Sequence, residues 1–471
     1  MFRCRVLLVA LVLTAAPSLL FAQPGPAGRW TGAIEIAGQK LYIVVNFTGE
    51  GSSVAGTIDI PQQRATGLPL TNVKADGRAV HFELQAGPGL AVFDGERQGE
   101  RIAGSFEQSG VKGTFSMTLA GANVRPPAAA PEPPVPYEQE QVKAVNGEVT
   151  LAGTLTVPPG PGPHPAVVLI TGSGAQTRDE DVFGMKVFAL LADQLTRAGI
   201  AVLRSDDRGV GGSTGSISQS TSSDFADDAL AQVGLLKGRK DIDPARIGLL
   251  GHSEGGIVAP MAANRSADVA FVVLLSAPGV SGEQVVLAQN ELIGRASGAP
   301  EEQIARNAAL QRKLFAALRS GEGMEEAAAE ARPLMKEALQ QLPEAQRKAM
   351  GDLDAAAAKA VDQQIAAMKS PWFRFFLSYD PAPALERLAV PALAIFGERD
   401  TQVPAESNRQ AMEAAFKRGR HADHTVLVIP RANHLYQEAV TGGPGEYATL
   451  KKEFVPGFSD TIAKWILGKK R

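Results

Sequence analysis

Three side chains in the second half of this chain could together carry out acyl transfer: Ser253, Asp400 and His434. Ser253 lies in Gly251-His252-Ser253-Glu254-Gly255, a G-x-S-x-G motif in which small flanking residues let the backbone bend sharply and lift a hydroxyl above a strand end. A hydroxyl is a weak nucleophile and needs a base to take its proton. The chain has six histidines. His81 is far upstream, His164 precedes a strand pattern, His252 adjoins the serine with its side chain expected to turn away, and His421 and His424 lie in a polar stretch. His434, in Arg431-Ala432-Asn433-His434-Leu435, follows the last strand pattern and is the expected base. A carboxylate must fix the tautomer of that base and stabilise its charged form. Asp400, in Gly397-Glu398-Arg399-Asp400 at the end of another strand pattern, is the expected partner, with Glu398 its nearest rival.

The developing oxyanion needs backbone N–H donors. One is expected from Glu254, next to the nucleophile at the start of a helix, and the other from Thr171-Gly172-Ser173-Gly174, with Ser173 the first choice and Gly174 close behind. Gly211-Gly212-Ser213-Thr214-Gly215 matches the same motif. It follows the polar stretch Ser205-Asp206-Asp207-Arg208 and leads into no apolar helix, so it reads as a loop.

Positioning these residues requires strands that alternate with helices. Ala166–Ile170 is a continuous apolar run, as in a parallel strand buried on both faces. The helical pattern 187–198, the strand 200–203, the helix 224–236 and the strands 246–250, 270–275, 392–396 and 425–429 continue the rhythm. The expected fold class is α/β, a doubly wound, mostly parallel sheet. Pro260 is awkward within the helix that should follow Ser253. From about 281 to 369 no strand pattern appears, and helical spacing of Ala, Glu, Gln, Lys and Arg predicts a helical cap inserted after a strand's C-terminal end, where ligands bind in such sheets.

The first part of the chain differs. Residues 23–121 alternate in short apolar runs broken by turn residues, predicting a small all-β antiparallel domain, barrel or sandwich, in which His81 is a structural residue. The Gly28-Arg29-Trp30 opening resembles the first strand of lipocalin-like barrels. Residues 122–136, rich in proline and alanine, predict an extended linker, leaving 137–471 as the catalytic domain. Residues 1–22 predict an export signal: Arg3 and Arg5, an apolar stretch from Val6 to Leu13, and a cleavage region ending at Ala22. Cleavage would remove Cys4, the sole cysteine, and with it any disulfide or thiol chemistry. A periplasmic or extracellular location, without stable membrane insertion after cleavage, is therefore expected.

Residues 137–471 resemble the α/β-hydrolase superfamily, and in particular the secreted bacterial esterase-like hydrolases grouped with serine aminopeptidase-like proteins. The resemblance rests on Gly172-Ser173-Gly174 with Arg178-Asp179-Glu180, Asp207-Arg208-Gly209-x-Gly211, Gly251-His252-Ser253-Glu254-Gly255-Gly256, Gly397-x-x-Asp400 and Asn433-His434. Ser, Asp, His is also the chain order this fold requires. The resemblance implies hydrolysis of carboxylic esters through an acyl-enzyme. Thr171 departs from the histidine that many relatives carry before the glycine.

A net charge of −3 gives no electrostatic case for nucleic acid, and no zinc-protease, phosphate-loop or dinucleotide motif implies a metal or cofactor. The expected partner is a small-molecule ester. Two other readings remain open: a peptidase that binds a free amine through a carboxylate, Glu180, Glu254 or a glutamate of the cap, and an inactive ligand-binding protein. Arg178, Asp179 and Glu180 could touch a polar substrate or form a salt-linked surface loop. Asp207 and Arg208 are expected to hold loops together. Trp372-Phe373-x-Phe375-Phe376 could line an acyl pocket or anchor the chain's return to the sheet.

Overall fold

The computed structural model describes residues 26–469 apart from 37–38, 50–53, 61–64, 87–88, 109–110, 120–134, 342–346 and 348–349. The expected export signal, Cys4 and almost all of the expected linker lie outside the described residues.

Alternation of apolar and polar residues in the first part produces a closed antiparallel barrel of eight strands, not a sandwich: β1 (Gly28–Ile36), β2 (Gln39–Thr48), β3 (Ala55–Ile60), β4 (Ala65–Asp76), β5 (Ala79–Ala86), β6 (Gly89–Gln98), β7 (Arg101–Gln108) and β8 (Val111–Leu119). Each strand pairs with the next, and β1 closes on β8 with Trp30 opposite Leu119. Inward positions carry Trp30, Ile58, Phe82, Phe93, Ile102 and Phe115, all fully buried. The rings of Phe82 and Phe93 stack at 4.4 Å and both meet Phe115 edge-on, so side chains fill the interior.

On the outer wall, the alternate residues His81, Glu83 and Asp94 form a polar cluster. His81 Nδ1 lies 2.6 Å from Asp94 Oδ1, and Asn72 Nδ2 donates to Glu83 Oε1 at 2.8 Å. Burial alone would push His81 down, but hydrogen bonds and charges from Asp94 and Glu83 hold it up to about 9. His81 is thus a structural residue with charged partners.

The second part is a doubly wound sheet of eight strands. Its strands are β9 (Glu138–Asn146), β10 (Val149–Val157), β11 (His164–Ile170), β14 (Ala201–Ser205), β15 (Ile242–His252), β16 (Phe271–Leu275), β17 (Ala392–Gly397) and β18 (His424–Ile429); a small ribbon, β12 (Asp181–Val182) and β13 (Met185–Lys186), stands apart. The order is β18-β17-β16-β15-β11-β14-β10-β9, parallel throughout except for the antiparallel pairs β14/β10 and β10/β9. The β9–β10 hairpin extends the sheet beyond the strands expected from the sequence.

Helices α1 (Val187–Arg197), α2 (Ser222–Lys237) and α3 (Gly255–Ala263) follow β13, β14 and β15. One face of the sheet is covered by α2 and α3 through Ala226, Val233, Ile257 and Val258, the other by α1 through Phe188 and Leu191. Pro260 lies inside α3 and forgoes the amide that would reach the Gly256 carbonyl.

Between β16 and β17 the described chain is helical, as the spacing predicted: α4 (Gly282–Ala296), α5 (Glu301–Ser320), α6 (Met324–Gln340), α7 (Leu353–Met368), α8 (Pro371–Ser378) and α9 (Ala382–Glu386). Ser281 starts α4 with a capping box to Gln284, and Asp352 caps α7 by accepting from the amides of Asp354 and Ala355. Phe315, Ala328, Val361 and Ile365 give these helices a small core of their own. Helices α10 (Ala405–Arg418) and α11 (Phe458–Gly468) complete the layers.

Candidate active site

The end of β15 and the start of α3 leave only residues 253 and 254 for the turn between them. Ser253 takes φ +54°, the left-handed conformation that a non-glycine residue adopts only when its surroundings impose it. The imposition is visible. The Ser253 amide donates to Leu275 O at 2.8 Å, and Gly256 N donates back to Ser253 O at 2.9 Å. A Cβ on Gly251 would stand 1.9 Å from Gly255 O, and one on Gly255 would stand 2.1 Å from Ile170 O. Both glycines of the motif are required by close backbone approach. Ser253 is partly exposed between the buried residues His252 and Glu254.

The rival motif is a loop, as expected: Ser213 is buried, accepts from Ala152 N at 2.8 Å and donates to Asp206 O at 2.7 Å.

Asp400 and His434 come together from the loops after β17 and β18. His434 Nδ1 lies 2.8 Å from Asp400 Oδ2, and both are buried. The other oxygen of Asp400 accepts from the amides of Gln402 and Val403, each at 2.8 Å, which orients the carboxylate toward the ring. Asn433 shapes the histidine loop from inside, its Oδ1 accepting from Leu435 N and Gln437 N at 2.9 Å. Glu398 is exposed and accepts from Arg431 N at 2.7 Å, so the structure brings Asp400 to the histidine and leaves this rival outside.

The loop after β11 is held by two acids, the half-buried Asp207 and the buried Glu180. Thr171 donates its hydroxyl to Asp207 Oδ1 at 2.6 Å, Gln176 N donates to Asp207 Oδ2 at 2.8 Å, and Gly172 N donates to Glu180 Oε1 at 2.8 Å. Burial pushes the Asp207 carboxyl well above the carboxylate range; the charges of Glu180 and Glu254 add to this, and the bonds from Thr171 and Gln176 oppose it. The Gly172 amide is therefore engaged. Among the described residues, the amides of Ser173 and Glu254 make no hydrogen bond to a protein acceptor.

Glu254 does more than start a helix. Its buried carboxylate accepts from Ser222 Oγ at 2.6 Å and from Trp372 Nε1 at 2.9 Å. Burial raises its pKa, opposed by hydrogen bonds from Ser222, Trp372 and Ser173. Trp372, stacked on Phe376 at 5.7 Å, is thereby an anchor joining α8 to the turn that carries Ser253. Neither contact was visible in the sequence, because spacing does not reveal which distant donor meets a lone buried acid.

Arg178, Asp179 and Glu180 are buried instead of facing a substrate. Arg178 pairs with Asp206 at 2.5 Å, Asp179 with Arg204 at 3.1 Å, and Glu180 with His252 at 2.9 Å. Arg208 binds Asp228 at 2.6 Å, tying its loop to α2. His252 was expected to turn away; it is buried, and its Nε2 lies 2.9 Å from His434 O. Burial would lower its pKa, but the charge and hydrogen bond of Glu180, then the His434 carbonyl and Asp400, raise it above the ordinary value. A cavity beside this region is lined by Thr171, Gly172, Gly174, Glu254, Phe225 and Val258.

The sequence model of the alpha/beta hydrolase family matches residues 167–447. The esterase EstD of Thermotoga maritima is 28% identical over 400 residues, covering 84% of this chain and 81% of its own. Among solved structures, an esterase of Pyrococcus furiosus aligns over 70% of this chain and 91% of its own, at 16% identity and a TM-score of 0.42. The proline iminopeptidase of Mycobacterium smegmatis aligns over 70% and 98%, at 19% identity and a TM-score of 0.41.

Proposed function

The chain belongs to the alpha/beta hydrolase family, and from that premise we propose that it is a serine hydrolase cleaving carboxylic esters of small or medium acyl groups through an acyl-enzyme. The observation that carries this reading is the buried pair His434 Nδ1–Asp400 Oδ2, at 2.8 Å, in a chain whose Ser253 is held at φ +54° at the strand–helix turn. Ser253 Oγ attacks the ester carbonyl as His434 takes its proton. Asp400 holds the imidazole by its other nitrogen and stabilises the imidazolium. The open amides of Ser173 and Glu254 donate to the oxyanion. His434 then protonates the leaving alcohol, and water, activated by the same imidazole, releases the acid.

The similarity to an esterase supports the ester over the peptide bond. A peptidase taking a free amino terminus would need an accessible carboxylate, and of the candidates Glu180 and Glu254 are both buried. The filled interior of the barrel disfavours a ligand-binding role for that part. The proposal includes export to the periplasm or beyond.

The test is hydrolysis of p-nitrophenyl esters of graded chain length, alongside aminoacyl anilides, by the protein and by Ser253→Ala. Ester turnover that disappears in the variant, with anilides untouched, is expected. Anilide cleavage would replace the esterase reading with a peptidase, and activity retained by the variant would remove Ser253 from the mechanism.

A further inference from the structure

Glu180 and His252 take no part in the proton path proposed above, yet they connect the three segments that path depends on. Glu180 Oε1 accepts from Gly172 N in the oxyanion loop at 2.8 Å and faces His252 Nδ1 at 2.9 Å. His252 is covalently joined to Ser253, and its second nitrogen, Nε2, lies 2.9 Å from the main-chain oxygen of His434. Both residues are almost fully buried, at 1% and 2% exposure.

The chemistry of these contacts fixes where protons sit. A carbonyl oxygen can only accept, so Nε2 must carry a hydrogen. A neutral imidazole has one N–H, and Nδ1 would then turn a lone pair toward a carboxylate oxygen. Moving a proton to Glu180 does not resolve the arrangement well. A proton on Oε1 would still bridge to Nδ1, but Oε1 also accepts from Gly172 N, and that bond favours the ionised carboxylate. The form that satisfies both ring contacts and this backbone bond best is an imidazolium with hydrogen on both nitrogens facing an ionised Glu180.

We propose that His252 is a permanently protonated positioning residue, charged by Glu180, which fixes the backbone of His434 and the oxyanion loop relative to the Ser253 turn. This rests on the serine-hydrolase reading for its kinetic consequence, but not for the protonation state. The other groups facing His252 are the His434 ring, with centroids 4.7 Å apart, the Tyr436 ring at 6.5 Å, and the charge of Asp400. The ring of His434 is thereby held against a fixed neighbour, and a misplacement of about 1 Å in such a site costs on the order of 100-fold in rate.

Imidazole nitrogen NMR of the full chain tests the protonation state without a substrate. Both His252 nitrogens should be protonated from pH 6 to 8, and in Glu180→Gln, which keeps an acceptor for Gly172 N but removes the charge, one of the two should lose its proton. With p-nitrophenyl acetate, Glu180→Gln and His252→Gln should lower kcat by about 10- to 100-fold with KM within about twofold, as expected for lost positioning. A singly protonated His252 in the unmodified protein overturns the proposal even if the variants fail to fold. A folded variant with unchanged kcat overturns it as well. If the unmodified protein hydrolyses no ester, the functional reading fails, and the NMR result still decides the state of His252.

Discussion

Whether a carboxylate can serve a catalytic histidine depends on which atoms it has left to offer. Asp400 spends one oxygen on two loop amides and presents the other to His434. Replacing it with Asn preserves the shape but offers an amide where an acceptor is needed, so Asp400→Asn should lower kcat by about 10³- to 10⁴-fold with the fold intact. Glu398→Gln should leave ester turnover within a few-fold of normal, because Glu398 is exposed and serves Arg431. Steady-state kinetics on both variants checks the pair, and the reverse ranking would exchange their roles. The sharp turn at Ser253 and the pairing of His434 with Asp400 could be read from the sequence because each lies just after a recognisable strand. The engagement of the Gly172 amide and the internal pairing of Arg178 and Glu180 could not, since both depend on residues brought close only by the finished fold.

Among the elements, α8 is one whose position bears directly on the turn that carries Ser253. Its aromatic sequence could be read as lining for a pocket or as an anchor; the structure shows Trp372 donating its indole N–H to a buried carboxylate one residue from Ser253. Trp372→Phe keeps the apolar packing on Phe376 and removes that donor. The loss should cost about 1–3 kcal/mol, the penalty for a buried acceptor deprived of a partner. Thermal unfolding should report a lower Tm, and ester kinetics a lower kcat, because the carboxylate shares its residue with the amide proposed to hold the oxyanion. An unchanged Tm would mean that Ser222 and Ser173 satisfy Glu254 without the indole. The parallel strands were legible as apolar runs and the cap helices by their spacing. The β9–β10 hairpin was missed because β9, Glu138-Gln139-Glu140-Gln141-Val142-Lys143, is an edge strand with few buried residues and little apolar signal.

Across the whole molecule, the barrel and the α/β sheet bury separate sets of apolar residues, so heating should produce two transitions. One of them should carry a pH signature. His81 is held up to about 9, above its ordinary value of 6.5. A group raised in the folded state contributes fully below its unfolded pKa and loses that contribution as pH rises through the folded one. The barrel transition should therefore fall between about pH 6.5 and 9, by on the order of 1–2 kcal/mol after solvent screening, and His81→Gln should flatten the trend. Calorimetry across that range checks both points; an equally steep decline in the variant would assign it to other groups. That the first part is all-β was evident from its turns, but barrel closure was not, because β1 and β8 meet across the full length of the domain.

That closure also bears on the order of events during synthesis. A chain emerging from its N-terminus completes β8 long before Ser253 appears, and N-terminal domains generally fold first. Joining β1 to β8 is a non-local step and therefore slow. Once made, it leaves no open strand edge on the barrel, so the apolar parallel strands that emerge later meet a neighbour that cannot template mispairing.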